Sequence, residues 1–208
     1  MKNFVLSFEE LIKEVRQFYK DVCQIKALPY ERRQKYLRDQ LSRLEQCLNQ
    51  VLELDERPKT IGDWDPYYVL LGHFFEGFVK TILMLEDFDD FFLNYYDEKK
   101  PLKKYEYAKQ KLLTILRNKN LTNKQHKRIG DVLEYVQLQR NNFVHFPLKG
   151  FDHPAVRYEI YMVIKKLCEL FEVNFSEETI KRLDKAIEKE RNITGMKFQD
   201  VWGVESRG

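Results

Sequence analysis

Residues 66–86, PYYVLLGHFFEGFVKTILMLE, decide the fold that we expect for this chain. Apolar residues recur in this segment at spacings of three and four, and together they cover nearly every face of a helix: Tyr67, Leu70, Leu71, Phe74, Phe75, Phe78, Val79, Ile82 and Leu83. A helix that is apolar nearly all round is typical of a protein interior, because its surface gains free energy only when it is removed from water. The segment therefore predicts a central helix that other helices surround.

The remainder of the chain also has a helical pattern. Glycine and proline are few, eight and six in 208 residues, which favours long helices over many short strands. Apolar periodicity predicts the helices, and no segment alternates convincingly like a strand; the expected helices lie near residues 7–26, 30–54, 66–86, 101–118, 123–146, 154–173 and 176–192. We therefore predict an all-α fold, a multi-helix bundle.

Residues that favour helix starts mark two further positions. Thr122 and Gln125 have the spacing of a capping box. In the acidic stretch LEDFDDFF, Asp87 or Asp89 is expected to cap a short following helix. Metal binding is the alternative for these carboxylates, but they lack the glycine-containing spacing of a calcium loop.

Composition limits the class of protein. A chain of 208 residues with 43% apolar content can bury one sizeable core, so a single domain over residues 1–208 is expected. The three cysteines, Cys23, Cys47 and Cys168, are far apart, which suits core positions in a reducing compartment. We find no signal-peptide core and no unbroken apolar run of about 20 residues. A cytoplasmic protein without a membrane segment is therefore expected.

Most signatures of cofactor-dependent and metal-dependent enzymes are missing from the sequence. It contains no P-loop and no GxGxxG, GxSxG or HExxH motif. We therefore expect no cofactor and no metal, and the candidate site must come from another pattern.

The stretch RNNFVHFP, residues 140–147, gathers three polar groups near the end of a predicted helix. Asn141 and His145 are four residues apart and share a helical face, and the long side chain of Arg140 can swing towards them. Pro147 ends the helix just after His145, where unpaired carbonyls favour the protonated ring and a nearby arginine opposes it. Such a histidine can act as an acid or a base near neutrality. The alternative is a structural histidine at a helix end, with Arg140 paired to an acid.

A second candidate feature is the uneven charge. Residues 97–128 carry eleven Lys or Arg and three acidic residues, a local charge of +8 in a chain whose net charge is +3. We interpret Lys103, Lys104 and Lys109 as an RNA-binding face, because a local positive field attracts polyanions. Tyr105 and Tyr107 lie between these lysines, where aromatic rings can stack on unpaired bases. The alternative is a solvated helix face with its tyrosines packed inward.

An R-N-x-x-x-H run near the end of a long helix in an all-helical chain resembles the HEPN superfamily of ribonucleases. Residues 73–83, HFFEGFVKTIL, are similar to an earlier helix of that family, with Glu76 and Lys80 four residues apart. The resemblance covers about residues 66–173, a HEPN-like core. A predicted N-terminal helix pair, residues 1–60, and a surface helix with a tail, residues 176–208, lie outside it.

This resemblance implies a metal-independent endoribonuclease in which the 2′-hydroxyl attacks the adjacent phosphorus. His145 would transfer protons, Arg140 would hold the phosphate, and Asn141 would orient the substrate or the histidine. Glu76 would orient Arg140, with an intrahelical pair between Glu76 and Lys80 as the alternative. The resemblance also implies a homodimer with composite sites, and a toxin or defence effector restrained by an antitoxin or another inhibitor protein. The alternative function is a non-catalytic helical module that binds a protein or nucleic-acid partner.

Reversal of charge at Lys103 and Lys104 tests the basic segment. If these lysines contact phosphates, replacing both with Glu should weaken RNA binding and flatten its dependence on salt, by roughly 0.7 in the log–log slope for each lost contact with a single strand. Binding isotherms at several salt concentrations measure this slope. Unchanged isotherms would assign both lysines to solvation alone.

Overall fold

The computed structural model describes residues 12–13, 30–56, 64–94, 104–145, 154–194 and 202, with the side chains of all but a few residues at helix ends. From residue 30 onward, the described residues form seven helices and no strand: α1 (Tyr30–Glu56), α2 (Trp64–Glu86), α3 (Phe88–Asn94), α4 (Lys104–Leu116), α5 (Asn123–His145), α6 (Pro154–Leu170) and α7 (Glu177–Thr194). The predicted all-α, multi-helix fold is thereby confirmed. The predicted helix at 7–26 falls outside the described residues except at positions 12 and 13.

Two predicted helix caps are confirmed. The backbone N–H of Gln125 donates to Thr122 Oγ1 at 3.2 Å, and Gln125 Oε1 accepts from the Thr122 N–H at 3.0 Å, which is a reciprocal capping box. Asp87 Oδ1 accepts from the Asp90 N–H at 2.9 Å at the start of α3. Local side-chain chemistry therefore sets where α3 and α5 begin.

Helix α6 ends three residues earlier than predicted, at Leu170. Glu172 takes a left-handed backbone conformation with φ of 52°, and the Val173 N–H donates to the Cys168 carbonyl at 3.0 Å. This pattern is a Schellman motif, which closes a helix by satisfying its last carbonyls. Glycine is the usual residue at the left-handed position, and without it the end of α6 could not be located from sequence.

The chain divides into two compact units, residues 1–39 and residues 40–208. The boundary falls inside α1, so the part of this helix from Gln40 onward belongs to the same unit as α2–α7. All the contacts described below lie within residues 40–208.

Helix α2 is the central helix of this second unit. From Tyr67 to Met84 only His73 is exposed, and Phe74, Phe75 and Phe78 have no exposed surface. Burial of each such side chain contributes about 1.5–3 kcal/mol. Helices α4 and α5 both pack against α2, and α7 packs against α6. The predicted position of residues 66–86 at the centre of the bundle is therefore confirmed.

The length and apolar character of Pro66–Glu86, with a mean hydropathy of 1.4, would suffice for a membrane span. The core helix of a globular protein meets the same criteria, and most of this segment is buried inside the protein. That the chain has no membrane segment remains a prediction.

A buried polar cluster fixes α1, α6 and α7 in position. Arg157 on α6 donates from Nη2 to Glu190 Oε2 at 2.8 Å, and its Nε lies 3.4 Å from Asp55 Oδ1. All three side chains are buried, and the hydroxyls of Tyr67 and Tyr161 form a hydrogen bond of 3.0 Å between α2 and α6. Buried ion pairs add little net stability because desolvation offsets their attraction, but breaking one is costly. The cluster therefore favours one arrangement of these helices over others.

Glycine at position 172 should stabilise the protein. In Glu172→Gly the folded state is freed of the cost of a left-handed non-glycine residue, about 1–2 kcal/mol. The unfolded chain gains conformational freedom, which lowers the free energy of unfolding by about 0.4–1 kcal/mol. We expect a net gain of roughly 0.5–1 kcal/mol in the free energy of urea unfolding. The matched control is Glu188→Gly, an exposed position inside α7, which should destabilise by about 1 kcal/mol. A loss of stability in Glu172→Gly would show that the side chain is needed there.

Candidate functional site

Arg140 leaves α5 directly above the backbone of the central helix. A Cβ atom built on Gly72 of α2 would lie 2.6 Å from the Cβ and 2.7 Å from the Cδ of Arg140. Real side chains do not approach so closely, so only glycine at position 72 leaves room for the stem of Arg140. The close approach of α5 to α2 thus fixes the position of the aliphatic stem that carries the guanidinium.

Glu76 holds the guanidinium in place. Its Oε2 lies 3.3 Å from Arg140 Nη1, and its Oε1 accepts a hydrogen bond from Lys80 Nζ at 2.5 Å. From the sequence, Glu76 is predicted either to orient Arg140 or to pair with Lys80 within its helix. The two contacts are compatible, because each carboxylate oxygen contacts a different cation. The Arg140 side chain remains 37% exposed, which leaves guanidinium donors for another partner.

Partial burial and several nearby charges set the pKa values around the pair of Arg140 and Glu76. Burial alone would raise the pKa of Glu76, but Lys80, Arg140 and His73 together hold it below its usual value. Burial also raises the pKa of the Tyr105 phenol, and the carboxylate of Glu76 raises it further while Arg140 lowers it. Glu76 is thus ionised near neutrality, and Tyr105 belongs to the same electrostatic neighbourhood.

The other motif residues lie at the end of α5. Asn141 is exposed, and Leu138, one turn earlier, is 55% exposed. Helix α5 ends at His145, one residue before the predicted end. The side chain of His145 lies outside the described residues, so the structure does not place the proposed proton-transfer group relative to Arg140.

The three lysines predicted to bind RNA are not equivalent. The Lys109 side chain is only 8% exposed, and its ammonium lies 2.9 Å from Glu106 Oε2 and 3.5 Å from Gln137 Oε1. Its ammonium therefore contacts Glu106 of its own helix and Gln137 of α5, and little of the side chain faces solvent. Lys103 and the side chain of Lys104 lie outside the described residues.

Among residues 97–128, some tyrosines and lysines are buried or paired and others are exposed. Tyr105 is half-buried, whereas Tyr107 is 59% exposed and available for stacking. Lys111 pairs with Asp90 at 3.2 Å, and Lys119 pairs with Glu86 at 3.1 Å. These acids precede the basic segment in the sequence, so the charge counted along the chain overstates the local positive field.

Two residues near the pair were not assigned to the site by sequence reasoning. Gly72 stands four residues before Glu76, so both lie on the same face of α2. A glycine inside a helix of large apolar residues is the signal that indicates a close helix contact. For Tyr105 no such signal exists, because its proximity to Glu76 depends on how α4 packs against α2.

Other polar groups have structural roles. His126 is half-buried, and its Nε2 lies 2.8 Å from the carbonyl oxygen of Leu113. Within the described part of the chain, no group of three or more His, Cys, Asp or Glu side chains is arranged to hold a metal ion. Asp87, for which metal binding was the alternative, acts as a helix cap.

Comparison of the chain with protein-family models, with curated proteins and with solved structures finds no match in any of the three. Functional inference therefore rests on the residues themselves. The relevant features are the pair of Arg140 and Glu76, the exposed Asn141, and the end of α5 at His145.

Replacement of Gly72 tests whether the contact between α2 and α5 is as close as the structure shows. Gly72→Ala should destabilise the protein by about 1–3 kcal/mol, because the new methyl group overlaps the stem of Arg140. The matched control is Gly130→Ala on α5, where the nearest atom to a new Cβ would be 3.7 Å away. That variant should gain up to about 1 kcal/mol from helix propensity. Urea unfolding measures both values, and equal effects at the two positions would contradict the close approach.

Proposed function

We propose that this chain is an endoribonuclease that cleaves RNA through attack of a 2′-hydroxyl on the adjacent phosphorus, without a metal. The observation that supports this most directly is that Arg140 is both held by a carboxylate and partly exposed. Its guanidinium is held 3.3 Å from Glu76, yet more than a third of the side chain is exposed. An arginine fixed by a carboxylate but open on its outer side is suited to bind a phosphate.

The charges near Arg140 favour an anion. Glu76 by itself would repel a phosphate, but Lys80 shares its carboxylate, so the three side chains carry a net charge of +1. Part of the fork of donors on the guanidinium is used by Glu76, and the remainder can donate to the non-bridging oxygens. Arg140 thereby stabilises the negative charge that grows on these oxygens as the 2′-oxygen attacks.

The proposed reaction needs two proton transfers. A base takes the proton from the 2′-hydroxyl as the O2′–P bond forms, and an acid protonates the 5′-oxygen as the P–O5′ bond breaks. The products are a 2′,3′-cyclic phosphate and a 5′-hydroxyl. We assign proton transfer to His145 and substrate orientation to Asn141. A second copy of the motif, supplied by a homodimer, would provide the second proton-transfer group.

The exposed side of α5 suits such an assembly. Leu138 presents an apolar side chain to solvent one turn before Asn141, where a second copy of the helix would cover it. A nuclease of this kind must be restrained in the cell, so we extend the proposal to a toxin or defence effector with an inhibitor protein. The rival proposal is a non-catalytic binding module, which the structural pairing of Arg140 with Glu76 also permits.

Cleavage assays with variants of the motif test the proposed reaction. The purified chain should cut single-stranded RNA in excess EDTA, leave DNA intact for want of a 2′-hydroxyl, and produce cyclic-phosphate ends. His145→Ala should lower the cleavage rate by about 10²- to 10⁴-fold and leave RNA affinity nearly unchanged, since proton transfer acts on the transition state. Arg140→Ala should lower both the rate and the affinity. The control is Arg43→Ala, an exposed arginine of α1 outside both the motif and the basic segment.

Two results would reject the nuclease. One is a purified dimer that cuts no RNA, and the other is a His145→Ala variant that cuts as fast as the wild type. RNA or protein binding that survives such a result would support the binding module. Circular dichroism of each variant must first show that its helical content is preserved.

A further inference from the structure

An open groove of about 470 Å³ lies between α5 and α6 and shares no lining residue with the pair of Arg140 and Glu76. Its walls are largely apolar and include Val132 from α5 with Ala155 and Val156 from α6. The ring of Tyr135 also lines it and is fixed by a contact of 3.4 Å between its hydroxyl and that of Tyr68. A groove of this size, with a few polar groups among apolar walls, is typical of a site for a small molecule.

Glu159 is the polar group that gives this groove its chemistry. The residue lines the groove although it is only 6% exposed. Its Oε2 accepts a hydrogen bond from Trp202 Nε1 at 3.0 Å. Its other oxygen, Oε1, lies 3.8 Å from Arg128 Nη1, which is beyond hydrogen-bond distance. A ligand that donates to Oε1 would form a charge-assisted hydrogen bond that Arg128 does not make.

The net charge of the residues that line the groove determines which ligand charge is favoured. Two carboxylates, Glu159 and Asp131, face one guanidinium, that of Arg128. The resulting charge of −1 disfavours phosphates and carboxylates. The groove therefore differs in ligand preference from the proposed RNA site, which favours an anion. Burial raises the pKa of Glu159 despite the opposing effects of Trp202 and Arg128, so the carboxylate lacks a strong cationic partner. An inorganic cation would find apolar walls in place of the several oxygen ligands it needs.

We infer that the groove between α5 and α6 binds a small organic amine, whose ammonium donates to Glu159 Oε1 while its hydrocarbon body packs against Val132, Ala155 and Val156. The inference stands independently of the proposed nuclease activity. It assigns a ligand site to a surface that the motif at the end of α5 does not use.

Titration with 2-phenylethylamine tests the site, with 3-phenylpropionate as a probe of similar shape and opposite charge. Trp202 contacts Glu159, so a bound ligand should change tryptophan fluorescence. We expect saturable binding of the amine at near-neutral pH and at least about tenfold weaker binding of the carboxylate. Glu159→Gln keeps an acceptor for Trp202 but removes the charge, and it should weaken amine binding about tenfold or more.

The matched control is Glu134→Gln, an exposed carboxylate of α5 outside the groove, which should leave the affinity unchanged. No saturable binding of the amine, equal binding of the two probes, or equal affinity in Glu159→Gln and the wild type would each overturn the inference. The comparison of the two probes uses only the wild-type chain, so it decides the matter even if Glu159→Gln does not fold. RNA cleavage is not measured, so failure here leaves the proposed nuclease untouched.

Discussion

Helix α2 must be buried, and the packing of its neighbours follows from that requirement. Its apolar side chains project on nearly every face, so water must be excluded around the helix over most of its length. A single neighbour cannot do this, because one helix covers only one stripe of another. Helices α4 and α5 both pack on it, and Leu44 of α1 reaches Gly77 so closely that a Cβ there would lie 2.9 Å from its Cδ2.

The same constraint creates the candidate functional site. A polar side chain on a surrounded helix must find a partner, and Glu76 finds two, Lys80 on its own helix and Arg140 on α5. Gly72, one turn earlier, allows α5 to come close enough for that contact. Positioning of Arg140 is therefore a consequence of packing the central helix, and the motif residues at the end of α5 are carried on a well-packed element.

Charge is distributed differently in space and in sequence. The basic segment around α4 meets acids of α2 and α3 in the folded chain, and the buried Lys109 contacts Glu106 of its own helix and Gln137 of α5. On the far side of α5, the groove that contains Glu159 carries the opposite sign. The exposed positive charge is thus smaller than a count along the chain indicates. A separate groove with a net negative lining forms between α5 and α6, and no single stretch of sequence predicts it.

Sequence patterns were enough to predict the all-α class, the central place of residues 66–86, the approximate bounds of six helices, the cap at Thr122, and a cap at Asp87 or Asp89. These features depend on periodicity and on neighbours within four residues, which a sequence displays directly. Only the tertiary structure showed why position 72 must be glycine, that Lys109 reaches Gln137 on α5, and that Glu159 lines a groove. Each of these features joins residues on different helices, and the distances are set by how the helices pack, which no local pattern of residues encodes.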